Sequence, residues 1–158
     1  MTPKIKTNWH LYTPDLEISF PSMKSWVEEN NSLMNRLRLL ETKIDLIVLD
    51  EQICKHHDEQ TSVEPVLGNL RKILLKSDHN LVFAESFFSE DVIKEFAKFG
   101  RLEEEPLGKY LFSDSNIKKH KTYIADYELD DQTFLGRKCI YSYNDKKFSV
   151  IEVFLFNE

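Results

Sequence analysis

Cysteine is almost absent: the 158 residues hold two, Cys54 and Cys139, far apart along the chain. They form neither a CxxC pair nor a metal-ligand spacing, which argues against a disulfide scaffold and a thiolate metal centre. Both lie in apolar runs and read as buried, reduced thiols. Glycine is sparse, with four residues, and no glycine-rich phosphate loop occurs; GxSxG and HExxH are missing too. No basic block stands out from the mixed surface charge. The net charge is −6, and the densest basic stretch, Lys118-Lys119-His120-Lys121, is followed by the acidic Asp126 to Asp131. That balance argues against nucleic acid as a partner and makes the basic stretch a solvated strand or loop. No run approaches the ~18–20 apolar residues of a membrane span, and residues 1–10 lack the apolar core of a signal peptide. Nor is there an internal repeat, a low-complexity tract or a linker. These absences leave one domain spanning 1–158, expected in the cytoplasm, or in the plastid stroma if organelle-encoded.

What is present suffices to build a core. The chain is 41% hydrophobic and 12% aromatic, too apolar for disorder. Residues 1–20 show no period and read as an extended arm. From Pro21 the spacing turns helical, with Ser22 as cap and Met23, Trp26 and Val27 on one face. Ser32 then caps a second helix through Leu33, Met34, Leu37 and Leu40, ending near Glu41. Lys43 to Cys54 reads as a strand. Lys55 to Thr61, with His56-His57-Asp58-Glu59, reads as a solvated loop, because two adjacent histidines point apart and cannot share one metal. Leu70 to Leu75 and Leu81 to Phe88 form a hairpin across Lys76 to Asn80. Ser89 caps a short helix closed by Gly100. In Pro106-Leu107-Gly108-Lys109-Tyr110-Leu111-Phe112, proline and glycine frame an irregular turn whose amides are free of regular pairing. Thr122 to Tyr127 is a further strand, and Phe134 to Tyr143 and Phe148 to Phe156 make a hairpin around Asn144-Asp145-Lys146. Helices at the front and centre, with hairpin-joined strands, define an α+β domain on a largely antiparallel sheet.

Three ionisable residues lie inside strongly apolar strands. Glu152 stands at the centre of Phe148 to Phe156, with Val150 and Phe154 on its own face. A carboxylate there costs roughly several kcal/mol unless a cation or hydrogen-bond donors replace its water. Arg71 shares a face with Ile73 and Leu75, and its neighbour Lys72 shares the other with Leu70 and Leu74. Periodicity alone does not choose between them, but the planar arginine fork is better suited to a desolvated carboxylate. Glu85 sits between Ala84 and Ser86 in the hairpin's second strand. Two readings stand side by side: an internal Arg–Glu pair, or a small acid-binding pocket on the sheet.

Four separated segments resemble the chorismate lyase (chorismate–pyruvate lyase) family, in the family's order. They are Asn31-Ser32-Leu33-Met34-Asn35-Arg36-Leu37, Leu70-Arg71-Lys72-Ile73-Leu74-Leu75, Pro106 to Phe112, and Gly136-Arg137-Lys138 followed by Ile151-Glu152-Val153-Phe154-Leu155. The stretch from Pro106 is the most specific. With the spacing between them, the resemblance spans about residues 22–156.

The resemblance implies an antiparallel sheet with helices packed on it and an active site enclosed beneath helical flaps. It implies removal of pyruvate from chorismate to give 4-hydroxybenzoate for quinone biosynthesis, with no metal or organic cofactor. By position, Arg71 matches the family's carboxylate-binding arginine and Glu152 its active-site glutamate. Leu107 matches a residue that offers its backbone amide, and Leu33 an apolar residue of the ligand-covering flap. Ala84-Glu85 stands where members of the bacterial ubiquinone-pathway type usually have Gly-Arg. Ala-Glu-Ser looks more like the branch found in mycobacteria, archaea and photosynthetic lineages. If Glu85 faces the pocket, it pairs with Arg71 or touches substrate. The expected partners are therefore chorismate and 4-hydroxybenzoate, handled by a monomer. The competing expectation is a non-catalytic, effector-sensing domain of the same fold, which elsewhere accompanies a winged-helix domain for which this chain has no room.

Overall fold

The structure is a computed structural model and describes residues 2–157. Its strands are β1 (Lys4–Ile5), β2 (His10–Leu11), β3 (Asp45–His56), β4 (Val66–Lys76), β5 (Asn80–Ser89), β6 (Ile117–Leu129), β7 (Gln132–Tyr143) and β8 (Lys146–Phe154). They join one antiparallel sheet in the order β1-β6-β7-β8-β5-β4-β3, with β2 also paired to β6. The helices are α1 (Lys24–Val27), α2 (Leu33–Leu40), α3 (Glu90–Glu95) and α4 (Gly108–Leu111), with 3-10 turns at Pro21–Met23 and Ala97–Gly100. The expected α+β architecture is thus the observed one.

The final strand β8 lies inside the sheet, hydrogen-bonded to β7 on one side and β5 on the other. That position explains its nearly continuous apolar sequence. Tight turns carry the chain in and out of it. Asn144 and Asp145 join β7 to β8, and Asp130 and Asp131 join β6 to β7, all four at positive φ. Two consecutive residues in that region make the turn that matches strand twist, and Asn and Asp tolerate it best after glycine.

The edge strand β3 has no buried residue, whereas the central strands are buried on both faces. On one, Trp26, Val27, Leu33 and Leu37 from α1 and α2 pack on Ile73, Leu75, Leu135 and Phe154. Beside them, Phe88, Val92, Phe99, Tyr141 and Phe148 form a second cluster under α3 and its following turn. The opposite face carries a third cluster around Phe83, Tyr127, Ile151 and Val153. Each fully buried large side chain, such as Phe88, Phe99 or Phe154 at 0% exposure, contributes about 1.5–3 kcal/mol.

Ser32 and Ser89 cap α2 and α3 as read from sequence, accepting from the Asn35 and Val92 amides at 3.2 and 3.5 Å. Three local expectations are corrected. Ser22 caps nothing: Pro21 starts a 3-10 turn with its own fixed φ, and α1 begins at Lys24 without a side-chain cap. The 106–112 segment contains the single-turn helix α4 rather than irregular backbone alone. Asp58 is not solvated. It is 3% exposed, drawn against the sheet by Lys138, whose Nζ lies 2.9 Å from Oδ1.

Candidate active site

A cavity of about 80 Å³ opens between the first two clusters. Where one water takes roughly 10–15 Å³ by this measure, it holds on the order of six waters, the room a single-ring acid needs. Its floor comes from the sheet register. Arg71 on β4 is opposite Ser86 on β5, and Ile73 is opposite Ala84. Ala84 in turn faces Glu152 on β8, and Glu152 faces Arg137 on β7. Directly paired residues point to the same side, so Arg71, Ala84, Ser86, Glu152 and Arg137 share one face. Between flanking phenylalanines and valines, the small side chains of Ala84 and Ser86 leave the space. The roof is supplied by Asn31 to Met34 on one side and Pro106 to Phe112 on the other.

Arg71 is 2% exposed. Its Nη2 donates to the backbone carbonyls of Glu103 and Glu105 at 2.8 and 2.7 Å, and Nε to Glu103 at 3.3 Å. Its Nη1 has no acceptor among the described residues. Burial pushes the guanidinium pKa down, against the opposing pull of the Glu51 and Glu105 carboxylates. An arginine so placed still carries its charge, and one nitrogen is left for a ligand.

Glu152 is held by Arg137, not by Arg71. Arg137 Nε donates to Glu152 Oε1 at 2.8 Å, with both side chains largely buried. Burial works against the Arg137 charge, but the Glu152 carboxylate, joined by Cys139 and Tyr141, outweighs it and holds the guanidinium pKa above its ordinary value. Arg71 and Glu152 stand two strands apart and two residues along, since Arg71 is opposite Ser86 and Ser86 opposite Val150. Strand spacing and rise put their α-carbons roughly 12 Å from each other. Their side chains thus face a shared space large enough for an aromatic ring between them.

Leu33 and Leu107 both line the cavity. The Leu107 amide precedes α4 and has no acceptor among the described residues, whereas its carbonyl takes the Tyr110 and Leu111 amides. Glu85 does not line the cavity. Ala84 and Ser86 do, so Glu85 points to the opposite face, where its carboxylate adds to burial in raising the Tyr127 pKa. The expectation of a Glu85–Arg71 pair is therefore corrected.

Two contributors escaped the sequence reading. Arg137 stands in Gly136-Arg137-Lys138, where adjacent cations gave no sign which one enters the site. Glu51 lies opposite Arg71 and accepts the Leu102 and Glu103 amides at 2.8 and 2.9 Å. Asn69 donates to it as well, at 2.9 Å. These donors, with the Arg71 charge, outweigh burial and hold the Glu51 carboxyl below the usual range. The only signal available was an acid in an alternating strand, which is common on surfaces.

A buried cavity with two guanidinium groups, one carboxylate and apolar walls defines a domain built to enclose a small organic acid. Residues 5–158 match the family described as Chorismate lyase, and the chain belongs to that family. It is similar to a protein of Pseudoalteromonas translucida (strain TAC 125) described as "Probable chorismate pyruvate-lyase". The two are 28% identical over 149 residues, covering 84% of this chain and 83% of the relative.

Proposed function

We propose that this protein is a chorismate lyase, eliminating pyruvate from chorismate to give 4-hydroxybenzoate for quinone biosynthesis. The observation that carries the reading is the cavity itself, with Arg71 and Glu152 at its two ends in a chain of this family. Chorismate is a dianion with a carboxylate on its ring and another on its enolpyruvyl arm. Arg71 Nη1 and the Leu107 amide take the ring carboxylate, a charge-assisted pair of contacts. That places the opposite end of the ring, with its 4-hydroxyl, toward Glu152. Arg137 holds Glu152 at that end of the cavity through its Nε. Leu33 and the apolar roof exclude water.

The reaction breaks the bond between ring carbon and enolpyruvyl oxygen and removes the proton from the adjacent carbon bearing the hydroxyl. The electron pair of that C–H bond completes the aromatic ring, and the departing enolpyruvate becomes pyruvate on protonation. Glu152 serves as the base or orients the hydroxyl so that the C–H bond aligns with the leaving group. Aromatisation supplies much of the driving force, so the protein's share is positioning and exclusion of water. Ala84-Glu85-Ser86 supports placing the chain with the branch found in mycobacteria, archaea and photosynthetic lineages. The reading carries a monomer working in the cytoplasm, or in the stroma of a plastid; among the described residues no helix is long and apolar enough to cross a membrane.

Purified protein mixed with chorismate is expected to release 4-hydroxybenzoate and pyruvate in equal amounts, well above the spontaneous rate. Product no faster than in buffer alone, with 4-hydroxybenzoate still bound, would make the chain a binding domain instead.

A further inference from the structure

One guanidinium reaches both the carboxylate of the cavity and the backbone of its roof. Arg137 is 3% exposed. Its Nε donates to Glu152 Oε1 at 2.8 Å. Its Nη1 donates to the carbonyls of Trp26, Glu29 and Val27 at 2.8, 2.9 and 3.2 Å. These carbonyls lie at the C-terminal end of α1, where a helix runs out of its own donors and a cation is favoured. Two residues after Glu29 the chain becomes the cavity roof, Asn31 to Met34. The roof is tied to α1 as a unit, because Arg36 of α2 donates to Ser25 O and Ser25 Oγ, both at 2.8 Å, and stacks on Trp26 at 3.7 Å.

An isolated Arg–Glu pair of this burial could be replaced by apolar side chains at little cost to stability. Here the cation has two separate clients, the catalytic carboxylate and the α1–α2 roof. We propose that Arg137 is a positioning residue that couples them: Glu152 is held in its reactive orientation only while α1 is seated over the cavity. The proposal rests on the lyase reading for its kinetic consequence, but the coupling itself is a property of the unliganded fold.

Arg137→Lys keeps the charge but not the fork, so one ammonium cannot serve both clients. In that variant kcat is expected to fall by at least thirtyfold with KM within about threefold. Amide exchange of residues 24–34 should quicken about tenfold while β6, β7 and α3 keep their protection. Because both residues act through one orientation, Arg137→Lys in a Glu152→Gln background should slow turnover little further. Wild-type kcat, effects that multiply with those of Glu152→Gln, or exchange that rises evenly across the sheet would overturn the proposal, the last by reducing Arg137 to general stability. If Arg137→Lys does not fold, Glu152→Gln alone decides. Weakening that carboxylate's hold on Arg137 should quicken exchange in 24–34 severalfold, and unchanged exchange there contradicts the coupling. The exchange measurements need no chorismate. A protein inert toward chorismate that still shows them loses the lyase reading and keeps the coupling.

Discussion

Arg71 holds a full charge in a nearly sealed site, and its backbone partners explain how. The carbonyls of Glu103 and Glu105 satisfy Nε and Nη2 and leave Nη1 without an acceptor among the described residues. Arg71→Ala removes a charge-assisted contact of about 1.5–3 kcal/mol, so 4-hydroxybenzoate should bind roughly 10- to 100-fold more weakly by calorimetric titration; unchanged affinity would remove Arg71 from the site. Glu85→Gln should leave turnover within twofold of wild type in the same assay that reads Glu152→Gln as slow. Equal losses in the two variants would put Glu85 back in the cavity. From sequence these two glutamates looked alike, each a lone acid in an apolar strand. Alternation could not separate them, because β5 and β8 are buried on both faces and each face therefore reads as inward. Arg71 and Glu152 were legible as misplaced charges; their pairing was not, since Arg137 is a neighbour only through the β7–β8 register.

The elements around the cavity divide into rigid floor and two roofs, each anchored by a buried arginine just before it begins. Arg137 binds the end of α1 ahead of Asn31, and Arg71 binds Glu103 and Glu105 ahead of Pro106. Glu51 completes the second anchor, fixing the Leu102 and Glu103 amides where Glu103 takes a positive φ of 55°. Glu51→Ala leaves those donors without an acceptor, at about 1–3 kcal/mol. A lower urea midpoint together with a raised KM for chorismate is expected; a stability loss with KM unchanged would show that the second roof does not depend on this anchor. The hairpins were readable because turn residues and period-2 alternation agree. The helix α4 was not, since one turn of four residues is too short for any helical period to register.

At the scale of the whole molecule, the curled sheet protects one polar pair far from the chemistry. Lys138 reaches Asp58 at 2.9 Å and Gln60 at 2.6 Å on the face opposite the cavity. Burial would raise the Asp58 pKa, but the Lys138 charge and hydrogen bonds from Lys138, Ser149 and the Gln60 amide together outweigh it and hold the carboxyl below the usual range. A carboxyl depressed in the folded state stabilises fully above its ordinary pKa, and that stability fades as pH falls from about 4 toward the native value. Urea midpoints should therefore drop below pH 4 in the wild type, and Asp58→Asn should be less stable at neutral pH with a flatter acid limb. Parallel limbs would contradict the pairing. Removing the carboxylate altogether leaves the Lys138 charge buried with no counter-charge and only the Gln60 Oε1 hydrogen bond, a loss of up to about 3 kcal/mol, with no direct effect on the cavity. The sequence reading assigned Asp58 to a solvated loop because nothing local shows that the chain after β3 folds back under β7. The central claim is the placement of the lyase site between Arg71 and Glu152, and a crystal structure with bound 4-hydroxybenzoate tests it most directly. The carboxylate is expected on Arg71 Nη1 and the Leu107 amide, with the hydroxyl at Glu152. Product bound elsewhere, or with its carboxylate turned to Arg137, would contradict the account.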